Sequence, residues 1–160
     1  MTISTHSEII SYAEQRCQQK GMRLTDKRKQ VLMGLLSAGK ALSAYELTDY
    51  CSTLMERKMP VMSVYRILAF LQQAGLVHEL KLINKFAVCR HIRCQHSHAV
   101  SQFLICQQCE KVTEVDISEQ TVDALSDQAK EAGYTFTSPQ IELKCLCQHC
   151  AHHLIKDKTV

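Results

Sequence analysis

Two pairs of cysteines have a spacing that suits metal binding. Two residues separate Cys106 from Cys109 and Cys147 from Cys150, and 37 residues lie between the pairs. Each pair can offer two thiolates from one tight turn, and four thiolates complete the tetrahedral shell that zinc prefers. The pattern therefore predicts a structural zinc site of four cysteines, in which Cys145 could compete with Cys147.

A looser group of residues could hold a second metal ion. Its members offer imidazole, thiolate or carboxylate donors, which zinc accepts together in mixed sites. They are His78, Cys89, His91, Cys94, His96, His98 and Glu114. One cysteine ligand favours zinc over iron or manganese, because those ions prefer harder oxygen and nitrogen donors. For any single member, a structural or solvent-exposed role is an equally good interpretation.

Composition separates the chain into two halves. Of the nine cysteines among 160 residues, only Cys17 and Cys51 precede residue 83. Residues 1–82 carry 11 basic and 7 acidic residues, whereas residues 83–160 carry 8 and 9. The basic first half permits nucleic-acid binding without requiring it. No stretch approaches the ~20 apolar residues of a membrane span, and the first 15 residues lack a secretory signal pattern. We therefore expect a cytoplasmic protein whose cysteines bind metal.

Four helices are predicted in the first half from apolar residues spaced three and four apart. Their boundary signals are Gly21 after the first, Thr25 and Gly39 around the second, the Ser43–Glu46 capping box before the third, and Pro60 and Gly75 around the fourth. The third is expected to bury Leu47, Cys51 and Leu54. Two strands, 76–82 and 85–88, would follow with a tight turn at Ile83–Asn84. Helices followed by a hairpin predict a winged helix-turn-helix.

The interval between the cysteine pairs predicts further elements. Residues 118–132 have the pattern of a capped helix with Val122, Leu125 and Ala129 on one face. Strands are expected around 134–136 and 141–143, and a zinc site would tie the end of the chain to a strand ending at Ile105. Both halves together predict an α+β fold.

The outer face of the fourth helix could enter a DNA major groove. That helix is expected to start near Ser63, and at ~100° per residue Arg66 lies about 200° from the inward Val64. Arg66 could pair with a guanine edge, Ser63 and Tyr65 could reach phosphates or bases, and Tyr45 on the third helix could contact backbone or a thymine methyl. A single arginine on a helix is commonly only solvated, and both tyrosines could be packing residues. The pattern alone therefore favours DNA binding weakly.

These motifs resemble the ferric uptake regulator superfamily over nearly the whole chain, and within it the zinc uptake regulators. The residues that carry the resemblance are Arg23-Leu-Thr-Asp-Lys-Arg28, Ser43-Ala-Tyr45, Ser63-Val-Tyr-Arg66, Gly75-Leu-Val-His78, Ala87-Val-Cys89 and Cys106-Gln-Gln-Cys-Glu-Lys-Val-Thr-Glu114, with the later Cys147/Cys150 pair. An iron-sensing member would be expected to carry a harder ligand at position 89. The cysteine at this position therefore points to the zinc branch.

The resemblance implies a homodimeric, zinc-responsive repressor of zinc uptake genes that binds a palindromic DNA operator. It implies that the protein is not an enzyme. It also implies that the protein binds neither a membrane nor a small organic substrate. The expected parts are a winged-helix domain over 1–83, a hinge over 84–89, a metal-binding α/β dimerisation domain over 90–152 and a flexible tail over 153–160. Arg23 and Arg28 join Tyr45, Ser63, Tyr65 and Arg66 as expected DNA contacts.

About two zinc ions per protomer are implied by the same resemblance. The structural ion would be held by Cys106, Cys109, Cys147 and Cys150. The regulatory ion would be held by His78, Cys89, Glu114 and a histidine of the loop after Cys89. We favour His98 for this ligand because it lies nearest in sequence to the Cys106 strand, with His96 as the alternative.

Three other interpretations remain open on the residues alone. A sister regulator could sense iron, manganese or peroxide. A thiol–disulfide oxidoreductase could use one Cys-x2-Cys pair, although two pairs are present, neither begins an obvious helix and no βαβ pattern surrounds them. A zinc-stabilised RNA-binding or protein-interaction module without sensing would also suit the helix pattern.

Overall fold

Helices and strands fall into two groups along the chain. The computed structural model describes residues 3–55, 58–92, 100–137 and 140–156. The elements are α1 (Ile3–Gln19), α2 (Asp26–Ala38), α3 (Ala44–Met55), α4 (Val61–Gln73), β1 (Val77–Leu80), β2 (Lys85–Val88), β3 (Ser101–Cys106), β4 (Val112–Asp116), α5 (Glu119–Glu131), β5 (Gln140–Cys145) and α6 (Gln148–Lys156). The α+β class is confirmed. The chain divides into two units, Met1–Gln95 and His96–Val160.

Predicted boundary signals of the first unit lie at the ends of its helices, although the Thr25 side chain makes no capping hydrogen bond. Thr25 precedes α2 in an extended conformation, and Gly39 ends that helix with a φ of 63°, a value that glycine adopts without steric cost. The Ser43–Glu46 capping box is reciprocal: the Ser43 N–H donates to Glu46 Oε2 at 2.7 Å, and the Glu46 N–H donates to Ser43 Oγ at 3.2 Å. The donation from Ser43 is the main cause of the lowered pKa of the Glu46 carboxyl.

The core of the first unit lies among α1 to α4. The predicted inner face of α4 is buried, and its members are Val64, Ile67, Leu68 and Leu71. Helix α4 begins at Val61, two residues before the predicted start, because Pro60 serves as its N-cap and the proline ring is tolerated there. The prediction for Leu54 was wrong: Leu47 and Cys51 are buried, but Leu54 is 54% exposed near the end of α3.

The C-terminal end of α4 is held by a basic side chain of α1 and by another that directly follows α1. Arg16 Nη1 donates to the Gly75 carbonyl at 3.2 Å, and Lys20 Nζ donates to the Ala74 carbonyl at 3.1 Å. The last carbonyls of a helix lack intrahelical donors and lie at the negative end of the helix dipole. These two cations therefore stabilise the end of α4 and fix α1 against it.

The hairpin after α4 is an antiparallel pair in which Val77 faces Val88 and Leu80 faces Lys85. Residues 81–84 connect the strands, so the turn is longer than the predicted Ile83–Asn84, and Asn84 adopts a positive φ of 52°. Leu42 extends the hairpin through two backbone hydrogen bonds with Phe86, of 3.0 and 2.7 Å. Helices followed by this hairpin form the predicted winged helix-turn-helix, and β2 occupies most of the range 84–89 that was assigned to a hinge.

The second unit is a three-stranded sheet in the order β4-β3-β5 with two helices. Strand β3 pairs antiparallel with β4 and parallel with β5. Ser118 caps α5 by accepting from the Thr121 N–H at 3.2 Å, as the pattern over 118–132 predicted. The described residues 134–137 are not a strand, which corrects the prediction for 134–136.

The C-terminal boundary also differs from the sequence expectation. Helix α6 continues to Lys156, so residues 153–156 are helical although they were predicted to belong to a flexible tail. No helix of the described residues is long and apolar enough to cross a membrane.

Candidate metal centre and nucleic-acid interface

Four cysteines converge at one end of the sheet in the second unit. Cys106 ends β3 and Cys109 lies in the turn that follows, while Cys147 and Cys150 lie just before and within α6. The parallel pairing of β3 with β5 brings the two turns together, because Cys106 is in register with Cys145 at the ends of the strands. The four Sγ atoms all lie within 4.8 Å of one another.

The sulfur geometry suits a tetrahedral metal site. With Zn–S distances of about 2.3 Å, two thiolates of a tetrahedral site are about 3.8 Å apart. The Sγ atoms of Cys109 and Cys147 are separated by 3.8 Å. The cluster therefore fits zinc without rearrangement of these two side chains.

Without a metal, the thiols of the cluster differ in pKa. The backbone N–H of Cys147 donates to Cys106 Sγ at 3.3 Å, and this hydrogen bond is the main cause that lowers the pKa of Cys106 to about 6. Burial, with the neighbouring thiols, raises the pKa of Cys150 to about 12. Four adjacent thiolates repel one another unless a cation is present. A divalent metal would remove that repulsion.

Cys145 is paired with Cys106 in the sheet but is not a member of the four-cysteine cluster. Its Sγ is 3.7 Å from the carbonyl oxygen of Ile105, and the group of mutually close thiols contains Cys147 instead. The Cys147–Cys150 pair does begin a helix, since α6 starts at Gln148, although both pairs were expected to lie away from helix starts.

Two of the other predicted metal ligands meet within the first unit. His78 lies on β1 and Cys89 directly follows β2, where its N–H donates to the Leu76 carbonyl at 2.9 Å. A nitrogen of His78 and the sulfur of Cys89 lie within 4.8 Å of each other. The hairpin pairing explains this proximity, because His78 is in register with Ala87.

The remaining candidates for the second metal are placed as follows. Glu114 lies in the second unit on β4 and is buried, with 9% of its surface exposed. A carboxylate at such a position requires compensating partners. His91 is half-buried after β2. Cys94, His96 and His98 lie outside the described residues.

Helix α4 carries three of the six predicted DNA contacts. Arg66 is exposed, and Ser63 and Tyr65 are half-buried. Tyr45, at the start of α3, is 64% exposed. The rings of Tyr45 and Tyr65 pack edge to face, with centroids 6.4 Å apart and an interplanar angle of 84°. The two tyrosines therefore pack against each other, while Tyr45 remains largely exposed.

Arg28 is held against α4 by a contact that the sequence analysis missed. Its guanidinium carbon lies 3.5 Å from the centroid of the Phe70 ring, and Nη1 donates to the Arg23 carbonyl at 2.6 Å. Arg23 itself is exposed. Phe70 follows Arg66 by one helical turn, and this spacing was the available signal that the ring belongs to the same side of α4.

Known proteins resemble this chain over most of its length. The family described as the ferric uptake regulator family matches residues 19–144. The chain belongs to the ferric uptake regulator family. The zinc uptake regulation protein of Escherichia coli (strain K12) is 33% identical over 150 residues, which are 94% of this chain and 85% of that relative. A zinc uptake regulation protein of Shigella flexneri matches with the same values. The family description is that of a regulator rather than an enzyme.

Solved structures of this family agree with the fold. A zinc uptake regulator complexed with zinc and DNA is 30% identical, with a TM-score of 0.81 over 94% of this chain and 98% of that one. The holo form of XcZur is 34% identical, with a TM-score of 0.74 over 92% and 99%. The ferric uptake regulator of Helicobacter pylori, at 20% identity and a TM-score of 0.56 over 91% and 93%, shares the fold.

Proposed function

We propose that this protein is a zinc-responsive, DNA-binding transcriptional repressor that controls zinc uptake genes. The winged helix with an exposed Arg66 would read DNA, and the cysteine-rich second half would bind metal. The observation that carries the proposal is the cluster of four cysteine sulfurs within 4.8 Å of one another, in a chain that is 33% identical to a zinc uptake regulation protein.

The structural zinc would be held by Cys106, Cys109, Cys147 and Cys150. Zinc bound by four thiolates has no open coordination position, and it would supply cross-linking rather than catalysis. It would tie the β3 turn to the start of α6. This tie matters because the second unit has a small core: none of the described side chains of α5 is buried.

The regulatory zinc would be held by His78, Cys89, Glu114 and a loop histidine, His98 or else His96. Support comes from the thiolate and imidazole that meet in the first unit and from the buried carboxylate at position 114. Thiolate, imidazole and carboxylate are donors that zinc accepts together. The count would then be about two zinc ions per protomer.

The proposed regulatory ligands come from both halves of the sequence, and this would link metal to DNA. Zinc bound to all of these ligands would hold the two halves in the geometry that DNA binding requires. The affinity for zinc and the affinity for DNA would then be linked by one coupling free energy. Without zinc, DNA binding would carry the added cost of ordering the two halves.

A homodimer would present two reading helices to a palindromic operator. Exposed apolar side chains of the second unit support self-association. Leu125 on α5 is 37% exposed, Leu143 on β5 and the nearby Leu146 are each 43% exposed, and Tyr134 is 74% exposed. A repressor of this kind would act on chromosomal DNA, so we place the protein in the cytoplasm.

The proposal is tested by zinc content together with a metal titration of DNA binding. We expect about two zinc ions per protomer by elemental analysis, one readily chelated and one resistant. Binding to a duplex selected from random DNA by the zinc-loaded protein should follow the labile ion. A single inert zinc with metal-independent DNA binding would overturn the sensor.

A His78→Ala variant separates sensing from folding. It should remain a dimer with one retained zinc but lose zinc-dependent DNA binding, because it removes only a regulatory ligand. Unchanged zinc dependence would remove His78 from the site. Repeating the titration with iron and manganese tests a sister regulator, and thiol titration before and after chelation tests an oxidoreductase.

A further inference from the structure

We propose that Phe70 is a positioning residue for DNA binding: its ring holds the Arg28 guanidinium beside the outer face of α4, where Arg28 contacts a backbone phosphate. This inference rests on the proposed DNA-binding function and adds a residue pair to it. The two side chains come from different helices, Arg28 from the first turn of α2 and Phe70 from α4.

Two contacts orient the guanidinium. The Phe70 ring lies 3.5 Å from Arg28 Cζ and supports the flat face of the cation, which an aromatic ring attracts. The Arg23 carbonyl accepts from Nη1 at 2.6 Å and sets the rotation in that plane. A guanidinium has five N–H donors, so the contact with Arg23 leaves donors for a phosphate, which arginine binds in a bidentate manner.

The position of Phe70 directs Arg28 towards the proposed reading face. Phe70 follows Arg66 by four residues on α4, so at ~100° per residue the two side chains leave the helix about 40° apart. Arg28 is half-buried against Phe70 and remains accessible to solvent. A cation at this place would lie beside the groove that Arg66 enters, where phosphates line the edge.

The local sequence also indicates a role outside folding. Lys27, Arg28 and Lys29 occupy the first turn of α2, where the helix dipole disfavours cations. Lys29 is paired with Glu14, which offsets its charge. The Phe70 ring holds the charge of Arg28 in place without neutralising it, so the positive charge stays available to an anion. Residues that break a local rule in this way are expected at functional sites.

The test is the salt dependence of DNA affinity. The zinc-loaded, full-length protein is titrated with a duplex selected from random DNA and with a scrambled duplex, over a range of salt concentrations. Each lost phosphate contact lowers the slope of log affinity against log salt by about 0.9. For Arg28→Ala we expect this loss, with equal fold-changes on both duplexes. A fourfold rise in salt should then weaken the wild type about 3.5-fold more than the variant.

Variants of Phe70 separate positioning from folding. Phe70→Leu should weaken affinity on both duplexes in the wild-type background and cause no further loss in the Arg28→Ala background. Phe70→Tyr keeps an aromatic face and should retain the wild-type slope. Lys130→Ala is the control, because Lys130 lies on α5 and is paired with Asp127 at 2.9 Å; its slope should equal that of the wild type.

Several results would overturn the inference. An unchanged slope for Arg28→Ala would exclude a phosphate contact, and a loss confined to the selected duplex would make Arg28 a base reader. Equal losses from Phe70→Leu with and without Arg28 would mean that Phe70 acts only through the packing of α4. A wild type that binds neither duplex would instead refute the proposed function itself. If Phe70→Leu does not fold, Phe70→Tyr and Arg28→Ala still decide the slope.

Discussion

Gly34 of α2 packs against side chains of α3, and a methyl group at this position should destabilise the first unit. Gly34 is buried in α2. A Cβ at this position would lie 2.5 Å from Cys51 Sγ and 3.2 Å from Leu47 Cδ1. The first distance is far inside normal contact, and Cys51 is itself buried, so its sulfur cannot move aside into solvent.

Two opposing terms set the expected size of the effect. Alanine is preferred over glycine within a helix by about 1 kcal/mol. Overpacking of a well-packed core costs about 1–3 kcal/mol. Gly34→Ala should therefore destabilise the wild type by up to about 2 kcal/mol. In a Cys51→Ala background the sulfur is gone, and the same change should stabilise the unit by up to about 1 kcal/mol.

Hydrogen exchange of the buried α2 and α3 amides is the suitable assay, because it reports the opening of one region rather than of the whole chain. Protection is compared for the wild type, both single variants and the double variant, which forms a double-mutant cycle. A Gly34→Ala effect of equal sign and size in both backgrounds would refute the reasoning, since it would mean that the Cys51 sulfur does not set the cost of the methyl group.

Three further predictions address the sites. Cys147→Ser should lose the chelator-resistant zinc whereas Cys145→Ser should keep it, because only Cys147 is among the clustered thiols; equal zinc loss after gel filtration with a chelator would contradict this assignment. Arg66→Ala should cost roughly 1–3 kcal/mol on the selected duplex if it reads a base, and equal loss on every duplex would make it a phosphate contact. In metal-free protein, Cys106 should ionise near pH 6. Because its ordinary pKa is 9.0, the stabilisation from its thiolate should be complete above pH 9 and lost as pH falls to about 6. Thiolate absorbance of the wild type minus that of Cys106→Ser measures this, and a midpoint near 9 would be the contrary result.

Sequence alone was sufficient where the determining contacts are local. The Ser43–Glu46 capping box formed as predicted because its two hydrogen bonds span only three residues. The inner face of α4 was predictable from Val64 and Leu71, since helical periodicity places them on one side. The convergence of the Cys106/Cys109 and Cys147/Cys150 pairs was predictable in part because the two cysteines of each pair fit within a single turn.

The tertiary structure decided the features that depend on distant residues. The parallel register of β3 with β5 places Cys145 opposite Cys106 and leaves Cys147 to join the cluster. Leu54 fits the apolar pattern of α3 but is 54% exposed, because periodicity cannot say where the neighbouring helices end.

The contact between Arg28 and Phe70 joins residues 42 positions apart, and nothing in either local pattern indicates it. Local spacing determines which side chains share a turn or a helix face. Only the packing of helices and the register of strands determines which of those faces meet, because these depend on the shape of the whole core.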